Sequence, residues 1–315
     1  MAGNDDPHYQ LVEQLKTGVA MMAYRKQDRV RRSVLFVPAI NERALAKSSS
    51  LDADCLVFDL EDSVAPSQKN RARENLRALF AGARLAGQEM IIRINDLSTP
   101  HGTEDLMMAL STMPDAILLP KVSTPKQVVE LANALEASDA PMALRIWAMI
   151  ESPLAILNIA DIALLADNPF NRLDCLVAGT NDLARETGTL AGENRQYHLP
   201  WLLQIIAAGR AFGLDVLDGV YNDFRNVTGF EAECRQAHDL GFDGKTLIHP
   251  AQIPPSNGIF APSEEEVAKA RLIMDAFSKA ENQGVVQIDG VMVERLHLHM
   301  AEALIARHAQ ITRRN

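Results

Sequence analysis

The sequence offers little sulfur chemistry. Its three cysteines, Cys55, Cys175 and Cys234, are too few and too scattered for a disulfide framework or a zinc site, and no Cys-x-x-Cys occurs. This usage suggests a reducing cytoplasm. Aromatic residues make up only 5% of the chain, and basic charge is in deficit, leaving a net charge of −10. That balance repels phosphate backbones and anionic lipid, so neither nucleic acid nor a membrane is an expected partner. No apolar run can span a bilayer as an ordinary helix: the longest, Ala140 to Ala166, carries Arg145, Glu151, Pro153 and Asp161. Asn4, Asp5 and Asp6 stand where a secretory or transit peptide would place basic residues. Also missing are a Gly-x-Gly-x-x-Gly after the first strand, a phosphate-cradling loop, a Ser/His/Asp nucleophile signature and a His-Glu-x-x-His zinc motif.

What the chain does have is a parallel β/α rhythm. Its 315 residues, 47% of them apolar, suit one α/β barrel with extensions better than two small domains. Short β-branched runs recur at Ser33 to Ala39, Cys55 to Glu61, Met90 to Asn95, Ala116 to Val122, Leu144 to Ile150, Cys175 to Thr180, Asp215 to Val220 and Lys245 to His249. Amphipathic stretches alternate with them, including Ser67 to Phe80, Thr124 to Ala137, Pro153 to Leu165, Leu199 to Phe212 and Gly229 to Leu240. Eight strands alternating with helices predict an α/β fold, a closed (β/α)8 TIM barrel over 31–260. Residues 1–30 read as an N-terminal extension. Over 261–315 we expect a C-terminal helical, lid-like extension: a capped helix from Ser263 to about Asn282, an extended piece Val285 to Asp289, a turn at Gly290 and a helix from Val293 to Ala309. The tetrapeptide Asp-Cys-Leu-Val occurs at Asp54 and again at Asp174, and the same offset carries Asp62 onto Asp182. Half-barrel duplication and coincidence both account for this echo.

Active sites of such barrels lie at the C-terminal strand ends, and here those ends are rich in charge. Asp59, Glu61 and Asp62 follow strand two, Arg93 and Asn95 strand three, Lys121 strand four, Glu151 strand five, Asn181 and Asp182 strand six, and His249 strand eight. Carboxylates on two adjacent ends, Glu151 and Asp182, can offer hard oxygen ligands to one Mg2+ or Mn2+. Each could instead simply open its helix, where negative charge suits the dipole. Arg93 is read either as a structural ion pair or as a fork for a substrate carboxylate. His249 reads as a packed strand-end histidine, His297 and His299 as a poor metal pair, and Met107, Met108 and Met149 as core.

Taken in order, Arg32-Ser33-Val34-Leu35-Phe36-Val37-Pro38, Phe58-Asp59-Leu60-Glu61-Asp62-Ser63-Val64, Arg93-Ile94-Asn95, Leu119-Pro120-Lys121-Val122, Ile150-Glu151-Ser152, Gly179-Thr180-Asn181-Asp182-Leu183 and Ile248-His249-Pro250 resemble the citrate lyase β-subunit-like branch of the HpcH/HpaI aldolase superfamily. The resemblance runs from about Arg31 to Glu294. It implies a homo-oligomer, a trimer or dimer of trimers, that makes or breaks a carbon–carbon bond in a 3-hydroxyacyl thioester with Mg2+. Coenzyme A then enters as part of the substrate. Carried over by position, Glu151 and Asp182 are the metal ligands, and Arg93 holds the 2-oxo acid carboxylate and steadies the enolate or alkoxide. Glu61 and Asp62 hold metal-bound water; Lys121, Gly179 and Asn181 line the substrate site; Arg43 and Lys47 face CoA phosphates. The family's lid places an Asp after Met-Val, where this chain has Glu294, and a Gly usually follows the first-strand Pro, where this chain has Pro38-Ala39. The first substrate expected is (3S)-citramalyl-CoA, cleaved to acetyl-CoA and pyruvate, with malyl-CoA next. A citrate lyase β-subunit working on an acyl carrier protein thioester is the alternative, and a catalytically silent binding protein a third reading.

Overall fold

The computed structural model describes residues 29–82, 87–280 and 284–314; the expected extension over 1–30 therefore lies almost wholly outside the described residues. The strands are β1 (Ser33–Pro38), β2 (Cys55–Asp59), β3 (Glu89–Arg93), β4 (Ala116–Leu119), β5 (Arg145–Ile150), β6 (Leu173–Ala178), β7 (Asp215–Asp218) and β8 (Gly244–Leu247). They pair in sequence order, all parallel, and β8 closes on β1 through Val34↔Thr246. A parallel strand buried on both faces needs apolar residues throughout, which is why these segments read as continuous Val/Ile/Leu runs. Alternate residues point inward: Val34, Val57, Ile91, Leu118, Trp147, Val177 and Leu217 fill the barrel.

Between them run α1 (Glu42–Ser48), α2 (Lys69–Phe80), α3 (Pro100–Thr112), α4 (Pro125–Ala137), α5 (Pro153–Leu157), α6 (Ile159–Leu164), α7 (Thr180–Thr187), α8 (Leu199–Ala211), α9 (Val227–Leu240) and α10 (Ile253–Ile259). Their starts are written locally. Proline occupies the first turn of α3, α4 and α5, where no N–H is needed, and Thr99 and Ser152 accept from backbone amides of the turns they open.

At the N-terminal end of the barrel Arg31 is buried 4.6 Å from the Trp147 ring centroid. It donates to Glu89 at 2.8 Å, Asp215 at 2.8 Å and Asp174 at 2.5 Å. The neighbouring Arg32 is held by Asp54 through Nε and Nη2, both at 2.9 Å. The two aspartates of the repeated tetrapeptide, Asp54 just before β2 and Asp174 in β6, thus anchor consecutive arginines from half a barrel apart.

The described residues divide into two compact units, one of Arg31–Gly258 and one that holds 259–314. In the second, α11 (Glu264–Lys279) starts at Ser263 with the expected capping box to Glu266. The helix ends at Lys279; the expected end at Asn282 falls outside the described residues. β9 (Val285–Ile288) and β10 (Val291–Glu294) form an antiparallel hairpin, and α12 (Arg295–Arg314) follows. Phe277, Val286 and Val293 form this unit's small core.

Four expectations are corrected. Val293 and Glu294 belong to a strand rather than a helix, because Asp289 and Gly290 both take positive φ, 49° and 82°, and fold the chain into a tight hairpin. The helix expected over Pro153 to Leu165 breaks at Asn158, whose side chain donates to Ser123 O at 2.8 Å. Met107 is exposed while its neighbour Met108 is buried, since adjacent residues of a helix face different ways. Several strands stop one or two residues early, which puts Glu61 and Asn95 in the turns beyond them and Thr180 at the start of α7.

Candidate active site

Register brings the first pair together. Asp59 sits directly across from Arg93 in the β2–β3 ladder, and Arg93 donates from Nε and Nη2 to the two carboxylate oxygens, each at 2.7 Å. Burial alone would raise the Asp59 carboxyl; Arg93 more than reverses this and holds it below the usual range. The remaining nitrogen, Nη1, lies 3.0 Å from Glu61 Oε2, and the Phe36 ring packs 4.9 Å from the guanidinium carbon. One edge of the guanidinium is therefore committed to Asp59, and the side bearing Nη1 faces the site.

Asp59 also shapes the turn after β2, its carboxylate accepting from Glu61 N at 2.9 Å and Ser63 N at 3.2 Å. From beneath, the buried Lys69 donates to Leu60 O, Glu61 O and Asn95 Oδ1 at 2.6, 2.7 and 2.8 Å. Asn95 is fixed in turn by Asp105 and Asp105 by Arg73. Glu61 ends up buried, with Oε1 accepting from Lys121 Nζ at 2.5 Å; burial pushes its carboxyl up, against the pull of Arg93 and Lys121. Asp62 is exposed and 3.8 Å from Lys121 Nζ.

Glu151, 1% exposed, follows β5. Its Oε1 accepts from Lys121 N at 2.7 Å, while Oε2 is buried with no hydrogen-bond partner. Burial pushes this carboxyl up to about 8, partly offset by the Lys121 amide, with Glu61 and Asp182 adding repulsion. Asp182 stands in the first turn of α7, with Arg185 Nη2 2.5 Å from its Oδ1. Gly179, just before that helix, packs against Glu151. A side chain there would overlap Glu151 Cβ and come within 2.8 Å of Oε2, so only glycine fits.

The residues fit a divalent cation. Two carboxylates from adjacent strand ends lie close enough to repel, and one of them carries a buried oxygen with no hydrogen-bond partner. Among the described residues no group of three or more His, Cys, Asp or Glu is arranged to ligate a metal.

Of the other expected residues, Asn181 is exposed and exchanges reciprocal amide hydrogen bonds with Asn222 at 2.8 and 3.1 Å. Arg43 and Lys47 are exposed one turn apart on α1. Glu294 lies on β10 in the second unit, its N–H donating to His297 Nδ1 at 3.1 Å. His249 is packed as expected, stacked on Phe224 at 4.4 Å. Sequence reasoning passed over Lys69, Asp105, Gln127 and Asn222. A supporting side chain on an amphipathic helix has the same sequence pattern as a solvated one.

The family model for HpcH/HpaI aldolase/citrate lyase matches residues 32–250. The chain belongs to this family. Among its HpcH/HpaI relatives, a (3S)-malyl-CoA thioesterase of Cereibacter sphaeroides is 41% identical over 278 residues, 88% of this chain and 94% of the relative. The citrate lyase subunit beta of Escherichia coli is 33% identical, covering 90% and 95%. A solved family structure, CitE of Mycobacterium tuberculosis in complex with magnesium, acetoacetate and coenzyme A, superposes with a TM-score of 0.73 at 30% identity, covering 90% of this chain and 99% of that one. No helix among the described residues is long and apolar enough to cross a membrane.

Proposed function

We propose that the protein is a Mg2+-dependent enzyme that cleaves the carbon–carbon bond of a 3-hydroxyacyl-CoA bearing a carboxylate next to the hydroxyl. The observation carrying this is the buried, unpartnered Oε2 of Glu151 beside Asp182 and within the field of Arg93. Glu151 and Asp182 would hold the ion, which supplies Lewis acidity and a template for the hydroxyl and carboxylate oxygens. Arg93 Nη1 faces the charge that develops as the bond between C2 and C3 breaks, giving a 2-oxo acid and the enolate of acetyl-CoA. Glu61, with Oε1 held by Lys121, presents Oε2 to the substrate hydroxyl or an ordered water, and Asp62 flanks it. Lys121, Gly179 and Asn181 line the substrate, and Arg43 and Lys47 offer cationic contacts to CoA phosphates. The working assembly is taken to be a homo-oligomer in the cytoplasm.

The relatives' names move malyl-CoA ahead of (3S)-citramalyl-CoA as first substrate. They also favour a second reading, hydrolysis of the thioester, for which Glu294 keeps a carboxylate at the family's lid position. One assay separates these readings. The purified protein is given each thioester with Mg2+ or with excess EDTA, and both 2-oxo acid and free thiol are measured. Chelator-sensitive glyoxylate or pyruvate supports the lyase; free thiol without oxo acid supports the hydrolase. Neither product from either thioester would overturn the CoA reading in favour of the citrate lyase β-subunit and its acyl carrier protein.

A further inference from the structure

Lys121 combines two unusual features. It has φ 52°, in the left-handed region that a side chain with a Cβ disfavours, and it stands at the end of β4 between two site carboxylates. Its N–H donates to Glu151 Oε1 at 2.7 Å and its Nζ to Glu61 Oε1 at 2.5 Å. Such a conformation persists only where its surroundings enforce it. Here the enforcing group is Gln127, the third residue of α4. Gln127 Nε2 donates to Lys121 O at 3.1 Å, and its Oε1 accepts from Ser123 N at 2.8 Å and Thr124 N at 3.0 Å. Ser123 is tied onward to Ser152, the residue after Glu151, by a 2.7 Å hydroxyl pair.

The consequence falls on Glu151. A carboxylate with two equivalent oxygens can rotate; one satisfied at Oε1 by a fixed amide has Oε2 left for a cation. We propose that Gln127 and Lys121 are positioning residues for the metal ligand: Gln127 locks the left-handed turn, the turn aims the Lys121 amide, and the amide orients Glu151. The cation-binding contribution of Lys121 then resides in its backbone, while its ammonium serves Glu61. This rests on the Mg2+ reading above.

The test is Mn2+ affinity of the full-length protein, read from the electron paramagnetic resonance of free Mn2+, with thermal melts alongside. Gln127→Glu keeps the acceptor for Ser123 and Thr124 but sets a carboxylate oxygen against Lys121 O in place of the donor, leaving that carbonyl only Ser123 Oγ at 3.3 Å; it should weaken Mn2+ binding by roughly tenfold, as lost support behind a ligand does, with little change in the melt. Lys121→Val, whose β-branched side chain resists the left-handed turn, should weaken binding at least as much. Lys121→Asn tolerates that turn and should bind Mn2+ within about threefold of wild type while turnover falls for want of the ammonium.

Wild-type affinity in Gln127→Glu would overturn the proposal, and that variant carries the test alone if Lys121→Val does not fold. So would equal losses in Lys121→Asn and Lys121→Val, which would place the effect in the ammonium. A wild-type protein that binds no Mn2+, or a Glu151→Ala variant that binds it normally, would instead remove the metal reading and the proposal with it.

Discussion

Arg93 spends one edge on Asp59 and faces the site with Nη1. A lysine has a single nitrogen and cannot do both. Arg93→Lys is therefore expected to lose on the order of 10²- to 10³-fold in turnover, with Mn2+ affinity changed far less, and paired kinetics and metal titration check this. Glu151 gives a pH prediction. With its carboxyl near 8 in the metal-free protein, the proton must leave before a cation binds, so roughly one proton should be released per ion at pH 7. Affinity should rise with pH up to about 8 and then level. Calorimetry in buffers of different ionisation enthalpy measures both. For the metal-free fold the sign is opposite: a carboxyl raised from 4.5 favours the folded state at low pH, and that advantage is lost as pH climbs toward 8. These charged residues were legible in the sequence because they sit where strand patterns end. Lys69 was not, because a helical lysine reads as solvated until the fold shows its amine 2.6 Å from Leu60 O.

Asp182 stands in the first turn of α7, and its spacing from β5 depends on the bare Cα of Gly179 against Glu151. Gly179→Ala should push the two apart and cut Mn2+ affinity by tenfold or more while the barrel still folds; far-ultraviolet circular dichroism and Mn2+ titration distinguish this from unfolding. Elements whose hydrophobic period matched their burial, all eight strands and most helices, were recognisable from sequence. The β9–β10 hairpin was half-recognised. Its Asp289-Gly290 turn is the residue pair that a two-residue hairpin demands, yet Val291 to Val293 is too short to declare a period and runs straight into the helical pattern of α12. Strand ends were overextended for a related reason: polar site residues just past a strand keep its alternation without its hydrogen bonds.

At the end of the barrel away from the site stands a buried charge cluster. Arg31 compensates Glu89, Asp174 and Asp215, all close to it and shielded from water. Removing it takes away the cation these three carboxylates share, with Arg145 still 3.4 Å from Asp174, and Arg31→Met should destabilise the fold by about 3–5 kcal/mol, measurable by urea denaturation. The echo of Asp54 and Asp174 was visible in the sequence, but its use, as anchors for adjacent arginines, needed the closed barrel.

The Arg31 cluster and the apolar filling around Trp147 also make the barrel a vessel with a sealed floor. Anything released at the strand ends must leave by the mouth through which the substrate entered. On the proposed lyase reading, the bulky thioester fragment would lie outermost and the small oxo acid, held by the ion and Arg93, behind it. Departure is then ordered, thioester first, and the oxo acid, last to leave, meets the free enzyme: it should inhibit competitively against substrate, whereas acetyl-CoA should not.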